Sequence, residues 1–580
     1  MNHSKIAIAI LPLLLGACAT TQVKPNVAPA AKPVKVAKPV QPVKAGPALP
    51  NVALSDQILF EFLFAEIAGQ RGNLAVANEY YVKLAEETQD PRIVNRALDI
   101  SLYSGQNRDA LAMAQLLKKL DPSSEKAKQA ISMLLVHSGN LEEAKPNIAK
   151  TLSQLDEASL SRSLMQLDSI FSQQKDRKAV LKVVQELAQP YLSLPEAHYA
   201  IGTAALRAGE FQQALVEADK ALSLRPGWDA AALLHAQVIQ ATSPAAVEPY
   251  LEGFLKQYPK AEAVRLALAK YLVAEHKYPE ARREFMTLLK LFPSNQDISF
   301  AVALLSVQLG DTATAIDEFR DLLKKGYKQP DLIRYYLGQS FELRKEPAEA
   351  EKWYRSVSGG VQYLPAQVRV AYLMMKRKDV EGAVRHLHSL HVSDPVQKLF
   401  LIQAESQLLH DSGNFRQAYE LLHRALKEHP DNPDLLYDFA MAAENVGRIA
   451  ESEKKLRKLI GIQPDNAQAY NALGYTLVEH STRYQEALPL LQKALELAPE
   501  DAYILDSMGW LQFKMGNLPS AVDYLNRAYM VRRDPEIAAH LARALWSQGK
   551  HEEAQNLIAS GLRENPGNDA LKKVKKELLH

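Results

Sequence analysis

Between Ala467 and Asp501 the apolar residues Leu473, Leu477, Leu488, Leu491, Ala494 and Leu495 fall three, four or seven positions apart within two runs. That spacing puts one buried face on each of two α-helices joined by a turn. The same layout recurs along the chain. Small residues stand at Ala77, Ala110, Ala144, Ala179, Ala214, Val247, Ala281, Ala315, Ala350, Ala383, Ala418, Ser452, Ala487, Ala521 and Ala554, always 33 to 35 residues apart. A glycine precedes nine of these fifteen by five positions, at Gly72, Gly105, Gly139, Gly209, Gly310, Gly413, Gly447, Gly516 and Gly549. A left-handed residue at that point stops one helix and turns the chain into the next. Proline follows many of the small residues by twelve positions, as at Pro122, Pro226, Pro259, Pro293, Pro430, Pro464, Pro499 and Pro566. It ends the second helix, because its ring carries no N–H and clashes with the preceding turn. Each period is therefore expected to be a helical hairpin whose small residue lies where the second helix crosses closely over the first.

Leu473-Gly474, Ala487, Leu491, Ala494 and Pro499 resemble the tetratricopeptide repeat. The resemblance is strongest in units 195–228, 399–432, 467–501, 502–535 and 535–568. It is weakest in 157–192, and in 229–260 the second helix carries Pro244 and Pro249. It implies an all-α tetratricopeptide-repeat solenoid, a right-handed superhelix of about fifteen helix-turn-helix units spanning residues 55–568. One unit cannot bury its own apolar face, so the units are expected to stack into one continuous array with polar ends. Residues 569–580 are read as the C-terminal cap, with Leu571, Val574 and Leu578 as a helical stripe and Lys572, Lys573, Lys575 and Lys576 facing outward.

The N-terminal segment has a different character. Residues 1–17 combine Lys5 with an apolar run from Ile6 to Leu15, the form of a secretory signal peptide. At about ten residues the run is half the ~20 needed to span a bilayer. Leu15-Gly16-Ala17-Cys18 resembles the bacterial lipobox, and the resemblance implies cleavage before Cys18, a diacylglycerol on its thiol and an acylated (palmitate-type) N-terminus. Ala19 stands where inner-membrane retention would need Asp, which implies the outer membrane, periplasmic side. Residues 18–54 then form a tether whose stretch 19–50 holds seven prolines, five lysines and no acidic residue.

Composition changes the picture in two places. A formal net charge of +2 gives no footprint for nucleic acid, and setting aside Lys5 and the five tether lysines leaves −4 on residues 51–580. Cys18 is the one cysteine, which excludes an internal disulfide framework and multi-cysteine metal sites.

Candidate chemistry is sparse. His551-Glu552-Glu553-Ala554-Gln555 has glutamine where a zincin needs its second histidine, and Ser172 and Lys175 have the S-x-x-K spacing without the partner motifs of penicillin-binding enzymes. His386, His388 and His391 cannot converge from one helix, since residues i and i+2 point about 200° apart. No catalytic residue, metal site or cofactor is expected, and the chain is read as a non-enzyme.

Recognition is better supported. The resemblance places positions 2, 5, 9 and 12 of each unit on a concave surface, where the last four units carry Tyr437, Met441, Asn471, Tyr475, Tyr503, Asp506, Trp510, Phe513, Arg543 and Trp546. Aromatic and arginine side chains of this kind dominate binding hot spots. The family's carboxylate clamp is not reproduced, because Asn471 lacks the matching lysines. The layout resembles the periplasmic adaptor lipoproteins that dock a carboxy-terminal-processing protease and bring cell-wall hydrolases to it. The expected function is a lipid-anchored scaffold that binds proteins; the alternative is an outer-membrane assembly or export factor for secretins, pili, polysaccharide or barrels.

Overall fold

The computed structural model describes residues 49–579 apart from Asn51 and Gln173. The signal segment, Cys18 and most of the tether lie outside the described residues. Among those described there are 31 α-helices and two short 3-10 turns, and no strand. The fold is an all-α repeat solenoid.

By contacts the chain divides into two compact units, one ending at Glu318 and the other beginning at Phe319, with the boundary inside the helix Thr312–Lys324. In the N-terminal unit a single apolar core runs without a break from Ala65 to Val238. In the C-terminal unit the core is a series of smaller clusters, among them one from Ala440 to Leu511 and one from Ala521 to Val574.

The small-residue seam sets the hairpin geometry. Fourteen of the fifteen seam residues are at most 3% exposed. Ala179, in the weak unit 157–192, is only partly buried. Its hairpin is looser: Glu157–Ile170 packs more on the next helix, Pro195–Arg207, than on its own partner Arg177–Ala188. In 229–260 the prolines shorten the second helix without breaking it. Pro244 opens the 3-10 turn Pro244–Ala246, and Pro249 falls in the first turn of Val247–Gln257, where a missing N–H loses no intrahelical bond. Close approach also explains a glycine within a helix. A Cβ on Gly474 would lie 2.6 Å from Leu491 Cγ, so the two helices can touch there only without one.

All nine predicted turn glycines have φ between 72° and 85°. Three units without glycine use a non-glycine residue in the same left-handed state at the same phase: His276 at 58°, Lys345 at 62° and Lys378 at 68°. The chain closes alike in both cases. The N–H after the left-handed residue donates to the carbonyl five residues back, as in Asn73 to Ala68 (2.9 Å) and Glu346 to Phe341 (2.9 Å). A Cβ in the left-handed region costs roughly 1–2 kcal/mol, partly offset by the lower chain entropy of the non-glycine residue. Lys345→Gly is therefore expected to raise the unfolding free energy by about 1 kcal/mol in denaturant titration. Arg344→Gly, one residue earlier at φ −71°, is expected to lower it by about 0.5–1 kcal/mol.

The C-terminal helix Asp569–Leu579 buries Leu571 and Val574 completely and exposes Lys572, Lys573, Lys575 and Lys576, so this end of the stack has a polar outer face.

Candidate partner-binding face

The first helices of the last four repeats are Pro433–Asn445, Ala467–His480, Ala502–Lys514 and Pro535–Ser547. Each begins at a side chain that caps it. Asn432 accepts from the Leu435 N–H at 3.0 Å and Asn466 from Ala469 at 2.9 Å. Asp501 accepts from Tyr503 at 2.8 Å and Asp534 from Glu536 at 2.9 Å. These caps satisfy N–H groups that have no intrahelical partner, and they fix the phase of every residue downstream. Tyr437 and Met441 thereby share one face, as do Asn471 and Tyr475, and Tyr503, Asp506, Trp510 and Phe513 share another.

The ten predicted side chains divide into two groups. Trp510 and Asp506 are only 6% and 7% exposed, and both are committed to neighbouring repeats. Trp510 Nε1 donates to Glu479 Oε2 of the preceding first helix at 2.8 Å. Its ring stacks on His540 of the following first helix, with 4.2 Å between centroids, and on Phe513 at 5.0 Å. Asp506 faces His540 Nδ1 at 3.0 Å. Arg543 donates to Glu577 of the C-terminal helix at 2.8 Å, and Trp546 sets its ring edge-on to His551 at 4.3 Å.

These contacts belong to a polar ladder that joins each first helix to the next. Gln403 donates to Asp438 at 3.1 Å, and Glu444 accepts from Thr476 at 3.1 Å and lies 2.8 Å from His480 Nε2. The Glu479–Trp510, Asp506–His540 and Glu577–Arg543 rungs continue it. Sequence reasoning missed Gln403, Glu444, Glu479, His540 and Glu577. The available signal was their separation from their partners, 31 to 36 residues, which is one repeat.

The second group is not absorbed in this way. Tyr503 is 47% exposed, with the Arg532 guanidinium 5.1 Å from its ring centre. Tyr437, Met441 and Tyr475 are half-buried. Burial pushes the Tyr475 hydroxyl well above its ordinary range, and the carboxylates of Glu479 and Asp506 add to the effect. Burial likewise raises Tyr437, and it raises the Asp438 carboxyl against the opposing hydrogen bond from Gln403. Both tyrosines are therefore neutral hydroxyls at physiological pH. Asn471 Oδ1 lies beneath the surface without a hydrogen-bond partner.

The histidine cluster does not assemble. His386 and His388 lie on Val380–His388 and His391 beyond its end, and His388 Nε2 is 2.8 Å from Glu405. Among the described residues no three His, Cys, Asp or Glu side chains are grouped to hold a metal ion.

Family models described as tetratricopeptide repeat match residues 266–330, 307–359, 409–474, 465–534 and 507–569. The chain is 31% identical over 543 residues to the TPR repeat-containing protein PA4667 of Pseudomonas aeruginosa, covering 93% of this chain and 90% of that one. It is 23% identical over 145 residues to the mitochondrial import receptor subunit TOM70 of Rattus norvegicus, covering 25% and 24%. Among solved structures, the APC/C hetero-tetramer Cut9-Hcn1 aligns with 84% of this chain and 97% of its own at 14% identity and a TM-score of 0.30. By its repeat phase, its hairpin geometry and its identity along nearly the whole length of a repeat protein, the chain belongs to the tetratricopeptide-repeat family.

Proposed function

We propose that this protein is a non-enzymatic scaffold, held by acyl chains on Cys18 at the periplasmic side of the outer membrane, which binds other proteins on the first-helix face of its C-terminal repeats. Membership of a family that binds proteins supports the general reading. The observation that carries the site is the division of that face. The ladder consumes Asp506, Trp510 and Arg543, while Tyr503 stays half exposed and Asn471 keeps a free acceptor. A half-exposed aromatic ring on this face suits a peptide segment, which brings apolar area to it.

Within that reading, the partner is a periplasmic carboxy-terminal-processing protease, with cell-wall hydrolases as the proteins brought to it. The support is the layout of signal, lipidated cysteine, tether and long array. Affinity capture of the mature protein from membranes, with and without the last four repeats, tests it. The protease is expected with the full array and lost with the truncation; a capture that contains no protease removes the finer assignment.

A further inference from the structure

The two ends of the array are finished differently. The C-terminal helix turns lysines outward, but the first described helix, Asp56–Gln70, is apolar on nearly every side. It buries Ile58, Ala65 and Ala68 against the next helix and leaves Leu59 (43% exposed), Phe60 (60%), Phe62 (38%), Leu63 (50%), Phe64 (41%) and Ile67 (48%) in the open. Six large apolar side chains on one terminal helix make a patch that needs a cover, since stacked repeats otherwise end in polar faces.

We propose that this helix docks on an anionic lipid surface, lying in the headgroup region as a second membrane contact independent of the acyl anchor. Three observations favour lipid. Residues 19–48 have valine but no Leu, Ile, Met or aromatic residue, and Leu49, Val52 and Leu54, which follow them, are themselves 56%, 44% and 73% exposed and so do not cover the patch. Residues 19–48 do carry five lysines and no acidic residue, the complement of an anionic surface, at about 1 kcal/mol per lysine near the lipid. Of the helix's three carboxylates, Glu61 and Glu66 are matched by Lys83 and Arg96, which removes most of the repulsion from anionic headgroups. The helix is 15 residues long, about 22 Å, and a bilayer core is about 30 Å, so it lies on the surface and does not cross. No helix among the described residues is long and apolar enough to cross a membrane.

The test uses residues 19–580, which keep every described residue and lack Cys18, so that acylation plays no part. Sedimentation with phosphatidylcholine vesicles, with and without phosphatidylglycerol, is compared for the parent chain and for Phe60→Ser/Leu63→Ser/Ile67→Ser. The parent is expected to bind the phosphatidylglycerol vesicles and to release as salt rises. The triple variant is expected to bind roughly tenfold or more weakly at unchanged helix content. Leu63→Cys in the same background supplies the one cysteine for an environment-sensitive dye, which is expected to shift to the blue on those vesicles. No binding by the parent, equal binding by a folded triple variant, or an unshifted dye overturns the proposal. So does a concentration-dependent dimer that the triple variant abolishes, which would assign the face to a second copy of the chain.

Discussion

Trp510→Ala is expected to lower the stability of the C-terminal unit by about 3–5 kcal/mol, whereas Tyr503→Ala on the same helix is expected to cost under about 1 kcal/mol. The difference follows from burial. Trp510 is 6% exposed, stacks on Phe513 and His540 and donates to Glu479, so removing the indole leaves a cavity between three successive first helices. Tyr503 is 47% exposed and loses little on truncation. Because stacked repeats depend on nearest-neighbour contacts, the Trp510 loss should be confined to the C-terminal unit. Denaturant titration followed by hydrogen exchange checks both parts: protection should fall in first helices 467–480, 502–514 and 535–547 and persist in the N-terminal unit. Partner binding should follow the opposite order, with folded Tyr503→Ala impaired.

Cys18→Ala is expected to move the protein from the outer-membrane fraction to the soluble fraction after a salt wash, with its helix content unchanged. Each buried methylene contributes about 0.8 kcal/mol, so a diacylglycerol and an N-acyl chain on Cys18 would hold the protein effectively permanently, and their loss would leave only weak surface contacts. The salt wash matters because docking of helix Asp56–Gln70 on anionic lipid is screened within about 10 Å at 0.1 M ionic strength. Fractionation unchanged by the substitution would refute lipidation at Cys18.

The repeat was legible because its punctuation is chemical. Alanine at a close crossing, glycine at a left-handed turn and proline after a helix each answer a local steric demand, so residue type reveals position. The turns at His276, Lys345 and Lys378 were hidden for the same reason: nothing in a histidine or lysine announces a positive φ, and only the phase of the seam marks them. The looseness around Ala179 was equally invisible, since an alanine looks the same whether its neighbours close over it or not. The binding face was legible as a set of positions and not as a set of roles. Trp510 and Tyr503 are both aromatic residues at inward positions of one helix, and what separates them is Glu479 and His540, each about one repeat away. Pairing residues one period apart would have exposed the ladder. The apolar terminal helix was not legible because its strong hydrophobicity reads as core, and only the exposure of its outer side chains reveals a surface.

The claim that the first-helix face of the C-terminal repeats binds a protein partner is tested most directly by placing a photo-crosslinking residue at Tyr503 and, separately, at Met530. Met530 lies on the second helix Leu518–Val531 of the same repeat and is 81% exposed. The account predicts that Tyr503 yields a crosslinked periplasmic protease in intact cells and that the more exposed Met530 does not. Equal crosslinking from both positions, or none from Tyr503 in a folded, membrane-bound protein, would contradict it.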